Sequence, residues 1–202
     1  MKLVKICGLS RREDIEAVNE ARPDLAGFVL FFPKSPRNVD ITKAAELIKH
    51  LDSGIKSVAV TVSPTAEQLS QIESAGFDFV QIHGSVSPEA ADTTDIPIIK
   101  AFNVSDMHSC GEWAEDPRVK GFVFDSAAPG SGKGFDYSLL EGIRVPDGKF
   151  RLIAGGLTAD NVGAALDVTG FEGADTSGGA EIQKGVKDRE KILAFVRAVK
   201  GM

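Results

Sequence analysis

The chain has 202 residues, 43% of them hydrophobic and 26% charged, with a net charge of -6. That is the balance of an ordinary soluble globular chain, with no basic footprint for nucleic acid and no apolar run near the roughly 18 residues of a membrane span. No secretory leader pattern precedes the first strand, so a cytoplasmic location is expected. The two cysteines, Cys7 and Cys110, suit neither a disulfide framework nor a metal-ligand spacing.

In chain order, the first predicted strand is 3–7, where Val4 and Ile6 alternate with Lys5 and Cys7. One face of it is apolar; the other carries an amine and, at its last position, a thiol. Gly8 ends the strand, and Ser10 is read as the N-cap of the next helix, with Glu13 three residues on. Further strands are expected at 25–31, 57–62, 79–83, 97–102, 121–125, 152–154 and 173–176. Helices are expected at 11–21, 41–50, 66–75, 88–92, 106–115, 137–141, 159–168 and 188–200. The last is the clearest amphipath, with Ile192, Leu193, Phe195, Val196 and Val199 on one side. Eight strand–helix units of about 25 residues each predict an α/β fold, a single-domain (β/α)₈ TIM barrel over residues 1–202. The length is below the roughly 250 residues typical of that fold but within its range. A doubly wound sheet is the alternative; six strands would satisfy it, and no G-x-G-x-x-G opens the first helix.

In such a barrel the chemistry sits at the carboxyl ends of the strands. After the second strand, Pro33-Lys34-Ser35-Pro36-Arg37 reads as a stiff loop able to hold Arg37 as a fork for a carboxylate, or else as a solvated turn. In the fourth strand, Gln81 and His83 share the face opposite Val80 and Ile82, and His83 is read as pocket lining rather than a catalyst. Asp125 closes the sixth strand where Cys7 closes the first; a turn aspartate is the plainer reading. The glycine-rich run 129–134 lacks Walker spacing and is read as a mobile cover. Gly155-Gly156 and Gly178-Gly179 follow the seventh and eighth strands, the usual phosphate site of barrels, unless both are simply tight turns.

Taken together, Lys5-Ile6-Cys7-Gly8, Pro33-Lys34-Ser35-Pro36-Arg37, Gln81-Ile82-His83-Gly84, Phe124-Asp125-Ser126, the run 130–136, Ala154-Gly155-Gly156-Leu157 and the run 185–188 resemble phosphoribosylanthranilate isomerase. The resemblance runs in the family's order from residue 3 to the last helix. It implies an Amadori rearrangement in tryptophan biosynthesis, with Cys7 in the position of the general base and Asp125 in that of the general acid. It also implies that Arg37 binds the anthranilate carboxylate, that Gly155, Gly156, Ser177 and Gly178 hold the phosphate, and that Asp175 lines the pocket. Two departures are visible. Thr176-Ser177-Gly178 stands where the family usually reads valine-serine-serine, so one hydroxyl is missing, and Thr61-Val62-Ser63 stands where it tends to read phenylalanine-valine-asparagine.

The chemistry asks for a thiolate and a protonated carboxyl, both unusual at neutral pH. Lys5, two residues before Cys7 on the same face, is expected to lower the thiol's pKa. Among related phosphosugar barrels, an indole-glycerol-phosphate synthase would carry lysine and glutamate on its strand ends, and a histidine-pathway isomerase would pair aspartates on strands one and five. Here those strands end in Cys7 and Phe102. A barrel that binds a phosphosugar without turning it over is the rival of another class. No cofactor and no metal is expected. The partner is a small-molecule phosphosugar, and the chain is a monomer or homodimer. Cys110, near Trp113, is read as packing.

Overall fold

Alternation within the first strand sets the architecture. In β1 (Leu3–Cys7), Val4 and Ile6 are fully buried under the helical layer, while Lys5 and Cys7 point into the barrel. The computed structural model describes residues 2–103, 106, 109–125, 140, 143 and 145–201. β2 (Leu25–Val29), β3 (Lys56–Val62), β4 (Phe79–His83), β5 (Ile98–Asn103), β6 (Val119–Asp125), β7 (Phe150–Ile153) and β8 (Gly173–Thr176) follow in order. Each pairs in parallel with the next, and β8 returns to β1 to close the barrel. The register of that closure sets Lys5 opposite Asp175, and on the other side Cys7 stands opposite Gly27.

Seven α-helices surround the barrel among the described residues: α1 (Arg12–Ala21), α2 (Ile41–Ile48), α3 (Ala66–Ser74), α4 (Pro88–Ala91), α5 (Cys110–Ala114), α6 (Val162–Thr169) and α7 (Arg189–Lys200). Apolar packing forms two shells. The larger lies between strands and helices; the smaller fills the barrel with Leu25, Val58, Val60, Ile99, Ala101, Val123 and Leu152. α7 buries the five residues its periodicity singles out, each contributing roughly 1.5–3 kcal/mol. Its ends are defined by Asp188, whose carboxylate accepts from the Lys191 N–H, and by Gly201 in the left-handed region.

Some boundaries differ from expectation for local reasons. β2 stops at Val29 because Phe31 takes φ +57°, which no strand continues. α1 is capped at Arg11, not Ser10: Asp14 folds its carboxylate back to accept from the Ser10 and Arg11 N–H groups, 2.9 and 3.1 Å away. α6 starts at Val162, since Asn161 accepts from the Thr158 N–H and makes the preceding residues a turn. Of the helix expected at 106–115, the described residues show an α-helix at Cys110–Ala114. The helix expected at 137–141, apart from Leu140, and the glycine-rich run 129–134 lie outside the described residues. Beyond β8 the chain adds a one-turn 3₁₀ helix, Gly178–Ala180, and an antiparallel hairpin of β9 (Glu181–Gln183) and β10 (Val186–Lys187) that the sequence pattern does not announce. Among the described residues no helix is long and apolar enough to cross a membrane.

Candidate active site

The strand ends enclose a cavity of about 350 Å³. Cys7, Arg37, His83, Asp125, Gly155, Gly156, Asp175, Ser177 and Gly178 all line it, so residues spread over most of the chain converge on one mouth. Gln81 lines it as well, and was passed over when its neighbour His83 was singled out.

Around Cys7 the barrel holds buried charge. Lys5 is wholly buried, and its Nζ lies 2.9 Å from Asp175 Oδ2. Space for both the amine and the thiol comes from Gly27: a Cβ there would stand 3.1 Å from Cys7 Sγ and 3.2 Å from Lys5 Nζ. Burial opposes the lysine's charge, but Asp175 and then Cys7 outweigh it, so Lys5 stays protonated with a pKa above its ordinary value. For Cys7 the balance falls the other way. Burial, seconded by the Asp175 charge, pushes the thiol up by more than Lys5 and Lys187 pull it down. The expectation that Lys5 lowers the thiol's pKa is therefore corrected in net direction. The lysine does pull as expected, but it is already matched by a carboxylate, and burial of the thiol outweighs it.

Arg37 belongs to a second cluster. Its Nε and Nη2 donate to the two oxygens of Glu181 at 2.6 and 2.8 Å, a bidentate pair. The side chain lies across Gly8, which sits at φ +82° and where a Cβ would come within 2.6 Å of Arg37 Cδ. Lys187 Nζ also donates to Glu181, at 2.9 Å, and to the Ser177 carbonyl at 3.0 Å. Burial alone would raise the Glu181 carboxyl; Arg37 and Lys187 overcome it and hold the pKa at about 2. The fork expected to await a carboxylate thus has its Nε–Nη2 edge occupied by Glu181, while Arg37 still lines the cavity. Neither Glu181 nor Lys187 was singled out from the sequence. The available signal was their placement either side of Gly185, the turn of a short hairpin.

The loops after β7 and β8 are tied together, since Thr176 Oγ1 donates to the Leu157 carbonyl at 2.7 Å. Gly155 and Gly156 take φ values of +100° and +64°, a backbone shape that favours glycine. On β4, Gln81 Nε2 lies 2.8 Å from His83 Nε2. Burial, then the charges of Lys5 and Lys100, lower the His83 pKa to about 4, so the ring is neutral. Asp125 ends β6 half-buried, beside Asn103 of β5. Cys110 is a free, half-buried thiol packed at the edge of the outer shell.

Residues 4–198 match the model of the family described as N-(5'phosphoribosyl)anthranilate (PRA) isomerase. An N-(5'-phosphoribosyl)anthranilate isomerase of Pseudomonas putida is 40% identical, covering 97% of this chain and 96% of its own. The crystal structure of phosphoribosyl anthranilate isomerase from Thermotoga maritima superposes with a TM-score of 0.88 at 33% identity, over 100% of both chains. A further phosphoribosyl anthranilate isomerase structure, in complex with reduced 1-(o-carboxyphenylamino)-1-deoxyribulose 5-phosphate, has a TM-score of 0.84 at 30% identity, again over 100% of each chain. Because the family model spans almost the whole chain and the relatives agree end to end, the chain belongs to the N-(5'-phosphoribosyl)anthranilate isomerase family and is an aldose–ketose isomerase.

Proposed function

We propose that this isomerase converts N-(5'-phosphoribosyl)anthranilate to 1-(2-carboxyphenylamino)-1-deoxyribulose 5-phosphate in tryptophan biosynthesis, with Asp125 as general acid and Cys7 as general base. The observation that carries the reading is one cavity with a thiol from β1 and a carboxyl from β6, cationic Arg37 at its edge and glycine loops from β7 and β8. A phosphosugar bearing an aromatic carboxylate asks for those groups together.

The chemistry is a transfer of protons within one substrate. Asp125 protonates the furanose ring oxygen, the C1–O bond breaks, and the nitrogen lone pair forms an iminium. Cys7 thiolate then removes the C2 proton, and the C2–H electrons flow to nitrogen to give an enolamine. Loss of the O2 proton and gain of one at C1 complete the ketone, with no external oxidant or reductant. Protonated Lys5 beside Cys7 favours the thiolate when it forms, and its pairing with Asp175 keeps that charge in place. Arg37, braced by Glu181, offers its remaining N–H groups to the anthranilate carboxylate. Gly155, Gly156, Ser177 and Gly178 take the phosphate through backbone N–H groups and one hydroxyl. His83 stays neutral and lines the sugar pocket.

The test is turnover of phosphoribosylanthranilate, followed by loss of anthranilate fluorescence, for the wild type and Asp125→Asn. Fast wild-type turnover, with the variant slower by about 10²–10⁴-fold, is expected of a general acid. A wild type that binds the substrate without converting it would instead be a phosphosugar sensor, and an undiminished variant would remove Asp125 from the role.

A further inference from the structure

Among the described residues, two buried side-chain polar atoms have no hydrogen-bond partner: Gln81 Oε1 and Asp175 Oδ1. Both residues line the same cavity, and Gln81 is only 1% exposed. A buried acceptor without a donor costs free energy, and such atoms in a pocket mark where a ligand's donors belong. The rest of Gln81 is fixed. Its Nε2 lies 2.8 Å from His83 Nε2. A neutral imidazole accepts there, which places the ring proton on Nδ1 and turns the amide carbonyl away from His83.

The two orphan acceptors come from opposite sides of the barrel, since β4 is four strands from β8 in the closed order. Asp175 is on the Cys7 side, joined to β1 through Lys5. This inference rests on the proposed reaction. There the C2 hydrogen must face Cys7, so the C2 and C3 hydroxyls, cis on the ribofuranose ring, both point away from the thiol toward the β4 side; the C2 hydroxyl gives up its proton in the reaction, and the C3 hydroxyl keeps its own. The geometry points to Gln81 Oε1 as the acceptor of the C3 hydroxyl of the substrate's ribose, making Gln81 the residue that distinguishes a ribosyl from a 3-deoxyribosyl substrate. An apolar side chain of similar length would fill the space and lose the distinction.

The experiment compares kcat/KM for phosphoribosylanthranilate and its 3-deoxyribosyl analogue in the wild type, Gln81→Leu and Gln81→Met. The wild type is expected to prefer the ribosyl substrate by at least about 100-fold, because a site built to pair with a hydroxyl rejects the analogue lacking it. In both variants the preference should fall to within about tenfold, the loss falling on the ribosyl substrate. A purely structural glutamine would depress both substrates alike and keep the ratio, which would overturn the assignment. So would a wild type that uses both substrates equally, a result that stands even if a variant fails to fold. A wild type inactive on phosphoribosylanthranilate would overturn the proposed reaction itself, and this assignment with it.

Discussion

Lys5 and Asp175 meet at 2.9 Å inside the barrel mouth, and Lys187 and Glu181 meet at 2.9 Å on the hairpin beyond β8. The distances match, but the surroundings do not. Glu181 is saturated: Lys187 shares it with Arg37, the Gly185 N–H donates to it at 3.2 Å, and its carboxyl is held at about 2. Asp175 has one cation, one bare oxygen, and burial that pushes its carboxyl up. A carboxylate with every lone pair engaged braces its neighbours. One with a buried, unpartnered oxygen at a cavity wall is kept ready for a ligand, and the fold carries its desolvation cost.

The sharpest way to break this contrast is Asp175→Asn, which keeps the shape but strands the buried Lys5 charge. A loss of about 3–5 kcal/mol is expected in urea unfolding, because an uncompensated buried ion is the costly case. Glu181→Gln should cost less, about 1–3 kcal/mol, since Arg37 and Lys187 keep other partners or some access to water. Its functional effect should fall on binding. Arg37 loses its bidentate anchor, so KM for phosphoribosylanthranilate should rise about tenfold, a change of about 1.4 kcal/mol, with kcat nearly unchanged. The same variant has a pH signature. Glu181 titrates at about 2 in the folded chain against an ordinary 4.5. Its stabilisation is therefore complete above about pH 4.5 and is lost as pH falls toward 2. The Gln variant should be less stable at neutral pH and flatter through that acid window in denaturation measured against pH.

How far the sequence carried the reading follows from the length scale of each feature. Strand alternation is local, so Lys5 and Cys7 on one face, and Gln81 and His83 on another, were legible from five residues at a time. The motif order was legible along the whole chain, which is why the barrel and nine of the residues lining its mouth were anticipated together. Pairing across the closure was not. Lys5 and Asp175 are neighbours only because β8 returns to β1 in a particular register, 170 positions apart. Without that register, Lys5 reads as a free cation acting on Cys7, and the direction of the thiol's shift comes out reversed. The hairpin failed for another reason: strands of three and two residues hold no periodicity to detect. Nothing local therefore joins Glu181 and Lys187 to Arg37, whose fork reads as unoccupied.

Central to the chemistry is the thiol of Cys7, held above its ordinary pKa by burial despite the lysine beside it. The most direct measurement is the pH dependence of kcat/KM on phosphoribosylanthranilate for the wild type and Cys7→Ser. Wild-type kcat/KM should be flat through neutrality and fall in the alkaline range as Cys7 titrates, because a protonated Asp125 and an ionised Cys7 are needed together and between their pKa values one gains what the other loses. Cys7→Ser should fall by about 10²–10⁴-fold and lose that alkaline fall, since a serine hydroxyl does not ionise in the range. A serine variant that kept both the wild-type rate and the wild-type slope would show that another group takes the C2 proton.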